Sequence, residues 1–179
     1  MIKGVSFAFR VLALVEFRMI IRKYGEKILK QKCAPVTGDE ILELSGKIDE
    51  MVKTMRTNKG AGLAASQVGI RKRFFVAEIN DVLHILFNPK ITKKSRRKVE
   101  MEEGCLSLPG VFVCIKRPEK IEVNFLDQKG VSRKTKAEGL LARVFQHEMD
   151  HLDGKLMIDK LSLLERLKLK KQLRYFKNR

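Results

Sequence analysis

The period of the apolar positions changes several times along the chain, and each change marks an element. From Thr37 to Thr57, Ile41, Leu42, Leu44, Ile48, Met51, Val52 and Met55 recur at the three- and four-residue spacing of one helix face. Thr37 or Asp39 can cap its start, and Asn58-Lys59-Gly60 closes its end. Arg73 to Ile79 and Leu83 to Phe87 flank Asn80-Asp81, which predicts two strands joined by a turn. Lys90 to Lys98 holds six basic residues and no acid and reads as a solvated hairpin or loop. Val111 to Ile115 and Lys120 to Leu126 are further strands, and Asp127-Gln128-Lys129-Gly130 is a turn. Gly139 to Leu152 returns to helical spacing, placing Leu140, Leu141, Val144, His147, Glu148 and His151 on neighbouring faces. A last helix begins near Ser162, with Leu163, Leu164, Leu167, Leu173 and Phe176 as its apolar stripe. The whole reads as one α+β domain over residues 19–179.

Residues 1–18 are basic and apolar, with Glu16 as the one acid, and stand apart as an N-terminal extension or a targeting segment. Their longest apolar run, Val11 to Val15, is far short of the roughly 20 residues that span a bilayer. No membrane span is expected.

Composition narrows the picture. At 179 residues, 44% apolar and 33% charged, the chain fits one domain with its own core and excludes disordered and collagen-like classes. Three cysteines, Cys33, Cys105 and Cys114, are too few and too scattered for a disulfide framework, so a special cysteine here is a metal ligand or a nucleophile. Lysine and arginine number 38 against 21 acids, a formal charge of +17, which suits a polyanionic neighbour or reflects a lysine-rich proteome.

The strongest chemistry lies in Gln146-His147-Glu148-Met149-Asp150-His151-Leu152. Histidines at i and i+4 share one helix face, so both can bind one divalent cation with the intervening glutamate beside it to handle protons. Two of the chain's three histidines sit in this motif. A catalytic site needs a third protein ligand. Downstream, Met157 stands where a third histidine would complete a peptidase-type pattern, and Glu165 lies in a basic helix without a supporting framework. Upstream, His84 lies in an apolar strand. Cys105 is the better candidate, set in a bend between Gly104 and Pro109, because a thiolate beside a dication is stabilised as the anion. Cys33 and Cys114 read as small buried hydrophobes.

Three segments in order, Gly60-Ala61-Gly62-Leu63-Ala64-Ala65-Ser66-Gln67, Glu103-Gly104-Cys105-Leu106-Ser107 and Gln146-His147-Glu148-Met149-Asp150-His151, resemble the signature motifs of the peptide deformylases. The resemblance spans about residues 19–160. It implies small antiparallel sheets packed around a central helix that carries the HExxH motif, followed by a C-terminal helix. It implies a metal-dependent hydrolase that removes the formyl group from the N-terminal formylmethionine of new polypeptides and releases formate.

On that resemblance, Cys105, His147 and His151 hold one divalent ion, with Fe2+ as the native metal and Zn2+, Ni2+ or Co2+ able to substitute. Glu148 is the general base, and the Gln67 side-chain amide and the Leu106 backbone N–H stabilise the oxyanion. Gly60 and Gly62 let the substrate backbone approach, Ala61 and Gly104 offer main-chain contacts, and Leu140 and Val144 line the methionine pocket. Ala61 is smaller than the Val or Ile usual there. Arg143 departs from the pattern and is expected at the pocket rim, touching peptide carbonyls or pairing with Glu138 or Glu148.

The expected partners are nascent formyl-Met polypeptides and ribosomal RNA, the latter through the C-terminal helix, where residues 160–179 carry eight bases against Glu165. The enzyme is expected as a monomer in a bacterial cytoplasm, or in an organelle if residues 1–18 are a targeting segment. Two other readings stay open on the residues alone: an HExxH metallopeptidase, and a basic RNA- or ribosome-binding protein with a structural metal site.

Overall fold

A computed structural model describes residues 19–177, so the reading of residues 1–18 falls outside the described residues. Two short helices open the fold, α1 (Gly38–Glu43) and α2 (Ser45–Thr57). The strands follow as β1 (Gly62–Ala64), β2 (Phe74–Ile79), β3 (Val82–Lys94), β4 (Lys98–Cys105), β5 (Leu108–Pro118), β6 (Lys120–Leu126) and β7 (Ser132–Glu138). Two longer helices close it, α3 (Gly139–Leu152) and α4 (Leu163–Lys177). The strands form an antiparallel five-stranded sheet in the order β1-β2-β3-β6-β7 and a separate β4-β5 hairpin. This is the α+β arrangement expected, with the HExxH segment on α3 between the sheets.

The helix expected over 37–57 is two helices meeting at Leu44. Thr37 caps the first through a reciprocal box: its side chain accepts the Glu40 N–H while the Glu40 carboxylate accepts the Thr37 N–H. The break falls where Ser45 and Gly46, both weak helix formers, follow the apolar run. Asn80 and Asp81 have φ of 50° and 60°, the left-handed pair that a two-residue type I′ hairpin requires. The basic stretch 90–98 is less of a loop than expected, since β3 runs through Lys94 and β4 begins at Lys98.

The apolar residues of α3, among them Ala142, Val144, Phe145, Met149 and Leu152, pack on Phe75, Ala77, Leu86, Ile121, Val123 and Ala137 of the large sheet. The opposite face of β1–β3 packs on α2 through Ile48, Met51, Val52 and Met55. A third cluster joins β5 to the segment 156–158 and to α4. On α4 the inward residues are Leu169, Leu173 and Phe176, while Leu163 and Leu164 are 74% and 73% exposed. The stripe read from the sequence therefore holds only in its second half. Arg166 anchors the first turns instead, donating to the Ile158 carbonyl and to Asp159.

Candidate active site

Two separate stretches, α3 and the end of β4, supply the ligand group. His147 and His151 project from α3 one turn apart, and Cys105 arrives at the end of β4. Their ligand atoms all lie within 4.8 Å of one another, and Cys105 Sγ is 3.2 Å from His151 Nε2. Tetrahedral S and N ligands of one ion lie about 3.5 Å apart, so this group fits a single transition metal. Burial opposes a Cys105 thiolate, but the two histidines override it and hold the thiol well below its ordinary pKa. The donor set is ready for a cation.

Behind the ligands lies a carboxylate that sequence reasoning left without a role. Glu103 is buried on β4, and its Oε2 accepts from His147 Nδ1 at 2.9 Å. That bond places the proton on Nδ1 and leaves Nε2 free for a metal. Arg117 grips the same carboxylate at both oxygens, 2.6 and 2.8 Å, and also reaches Asp150 on α3. Burial alone would raise the Glu103 pKa; Arg117 and His147 reverse that and keep it ionised. A signal was available: Val99, Met101 and Glu103 alternate on β4 opposite Arg117, Ile115 and Val113 of β5, so an acid and a base occupy inward positions.

Arg143 is a correction. Rather than reaching the rim or pairing with Glu138 or Glu148, it is 4% exposed and donates to Glu103 Oε1 at 2.9 Å and to the Ile115 and Val99 carbonyls. A carboxylate and two carbonyls on β4 and β5 draw the guanidinium inward, beneath the pocket. Cys114 also differs from expectation, being exposed, while Cys33 is buried. His84 is half-buried with its ring edge-on to Phe145 and is not part of the metal-ligand group.

The site opens into a cavity of about 490 Å³. Gly60, Ala61, Gly62, Gln67, Gly104, Cys105, Leu106, Leu140, Arg143, Val144, His147 and Glu148 all line it; His151, 1% exposed, lies behind them. Leu140 is 50% exposed at the mouth and Val144 is buried. The glycines are there for clearance. A Cβ at Gly62 would sit 2.5 Å from Glu148 Oε1, and one at Gly60 would sit 2.7 Å from the Leu106 side chain. Glu148 Oε2 is buried without a hydrogen-bond partner, and burial pushes its pKa up to about 7. The Gln67 amide is held at its oxygen by the Ala64 N–H (2.8 Å), which turns its NH2 toward Ser107 Oγ (3.1 Å) and Cys105 Sγ (3.6 Å).

A cysteine, two histidines on one helix and an unpartnered glutamate meet at a glycine-lined cleft, and the chain that builds it is similar to known proteins in sequence and fold. Residues 19–167 match the family model of the polypeptide deformylases. The chain belongs to that family. A peptide deformylase of Thermoanaerobacter sp. is 41% identical over 160 residues, covering 88% of this chain and 94% of the relative. Among solved structures, the Thermus thermophilus peptide deformylase superposes with a TM-score of 0.84 at 39% identity, covering 89% of this chain and 97% of that one. The Synechococcus elongatus peptide deformylase, solved in complex with actinonin, gives 0.79 at 39% identity, with 87% and 84% covered. Deformylases are metal-dependent, and in this deformylase chain the Cys105, His147 and His151 group is where a metal fits.

Proposed function

We propose that this cavity removes the formyl group from N-terminal formylmethionine, with Glu148 as the proton carrier. One observation carries the assignment: a buried, unpartnered carboxylate lies beside a Cys-His-His donor group, inside a cleft whose glycines leave clearance for Glu148 and Leu106. A structural metal site has no use for such a carboxylate or for an open cleft. When bound by Cys105, His147 and His151, the dication supplies Lewis acidity, which eases deprotonation of water and polarises the formyl carbonyl. Thiolate and imidazole donors favour transition metals over Mg2+ or Ca2+. Our reading takes Fe2+ as the native ion, with Zn2+, Ni2+ or Co2+ able to take its place.

The remaining chemistry belongs to the chain. Glu148 accepts the proton of the attacking water and returns it to the amine of methionine as the C–N bond breaks and formate leaves. The Gln67 NH2 and the Leu106 N–H donate to the formyl oxygen as it gains negative charge; loss of one such donor costs about 2.7–4 kcal/mol in other hydrolases. Val144 and the stem of Leu140 take the methionine side chain, and Gly60, Ala61 and Gly62 take the main chain. Lys168, Lys170, Lys171 and Arg174 of α4 are exposed, a positive stripe suited to the phosphates of ribosomal RNA, where the substrate is made. This suits a bacterial-type cytoplasm, and among the described residues no helix is long and apolar enough to cross a membrane.

The test is formate release from a formyl-Met tripeptide by anaerobically prepared, Fe2+-loaded protein. Wild type turns over; Glu148→Ala loses at least about 100-fold while keeping its metal. Turnover that survives in Glu148→Ala overturns the assignment of the base.

A further inference from the structure

The loop that carries one of the two oxyanion donors adopts a turn that two-residue hairpins disfavour. Leu106 and Ser107 join β4 to β5 as a two-residue turn, with Cys105 paired to Leu108. Hairpins with two-residue loops favour primed turns, which need positive φ at one or both central residues. The Asn80-Asp81 turn meets that requirement; Leu106 and Ser107 do not, having negative φ at both. Contacts from outside the hairpin therefore add to what holds the turn in place.

Three consecutive residues near the start of the described chain do this. The Arg22 N–H donates to the Gln67 carbonyl at 2.7 Å, and the Tyr24 N–H donates to the Ser107 carbonyl at 2.9 Å. Between them, Lys23 sends its Nζ to the Leu106 carbonyl at 2.9 Å. One short segment thus ties together both residues that face the formyl oxygen, and Lys23 is the tie made by a side chain. Its ammonium gives a charge-assisted bond at the cavity wall, stronger than a neutral one.

We infer that Lys23 is a positioning residue of the deformylation reaction, a strut that fixes the Leu106-Ser107 turn so that the Leu106 N–H and the Gln67 amide converge on one oxygen. The inference rests on the deformylase reading of the site. Lys23 acts through the Leu106 peptide rather than on the reacting atoms, so its loss lowers the rate of the chemical step more than substrate binding.

The experiment compares Lys23→Met, which keeps the stem and removes the donor, with Lys23→Arg, which keeps a cationic donor. On a formyl-Met tripeptide, Lys23→Met loses roughly 10- to 100-fold in kcat, since small misplacements of catalytic groups cost about this much. Its KM stays within about twofold and its metal content is unchanged; Lys23→Arg recovers most of the rate. Amide hydrogen exchange, read without turnover, shows Leu106 and Ser107 exchanging faster in Lys23→Met while α3 amides keep the wild-type rate. A kcat and loop exchange equal to wild type overturn the strut, as does a rise in KM alone, which would make Lys23 a substrate contact. If wild type itself releases no formate, the deformylase reading fails, whereas the exchange comparison still decides whether Lys23 braces the turn.

Discussion

Glu103 is the residue on which the site turns. One buried carboxylate orients His147, anchors Arg117 and accepts from Arg143, joining β4, β5 and α3. Breaking a buried ion pair typically costs about 3–5 kcal/mol, and losing Arg117 would leave Glu103 to Arg143 and His147, and Asp150 to Lys160. Arg117→Met should therefore destabilise the fold by about 3 kcal/mol or more in urea titration, because Glu103 and Asp150 both lose their main cation. Asp159 gives a gentler, pH-dependent case. Burial would raise its pKa, but Lys30 and the Leu156 N–H outweigh this and hold it below the ordinary 3.8. Its contribution is complete above about pH 3.8 and is lost as pH falls through the lower folded-state value. Wild type should thus lose stability across that acid range more steeply than Asp159→Asn, which equilibrium unfolding at a series of pH values reads directly.

Among the elements, those with one dry face were legible and those without were not. β6 is Lys120–Leu126 and α3 is Gly139–Leu152, both as the periodicity placed them, since Ile121 and Val123 alternate cleanly and α3 buries most of its surface. β7 escaped notice because Ser132-Arg133-Lys134-Thr135-Lys136 is polar on both faces; only Ala137 reaches the core. β4 escaped because its inward row ends in Glu103 rather than an apolar residue. The three motifs that carry the site were readable, but the Arg143 contacts were not, as they depend on carbonyls from another element. Glycines make the element scale testable. Gly62→Ala should keep the fold yet lose roughly 100-fold in turnover, because its Cβ displaces Glu148. Gly154→Ala should unfold more easily by upwards of about 1 kcal/mol, since φ is +69° and the Lys30 carbonyl lies 2.6 Å from the added carbon. Gly46→Ala, with open space around it on α2, should gain about 0.5 kcal/mol in the same titrations.

For the whole molecule, a charge of +17 sets two opposite responses to salt. Self-repulsion weakens the fold when ions are scarce, so the thermal midpoint should rise between about 0.01 and 0.3 M salt as the Debye length shrinks from about 30 Å to below 10 Å. If α4 docks on ribosomal RNA as proposed, that attraction should fall over the same range, and cosedimentation with ribosomes should fade as midpoints climb. The large sheet adds a last consequence. At one end β7 exposes Arg133, Lys134 and Lys136, so a second copy offering the same strand would meet its own charge. At the other end β1 is three residues long and its first residue, Gly62, borders the reaction cavity. Edge-to-edge stacking of copies is disfavoured at both ends of this sheet: one repels its own kind, and the other offers only three residues to pair with.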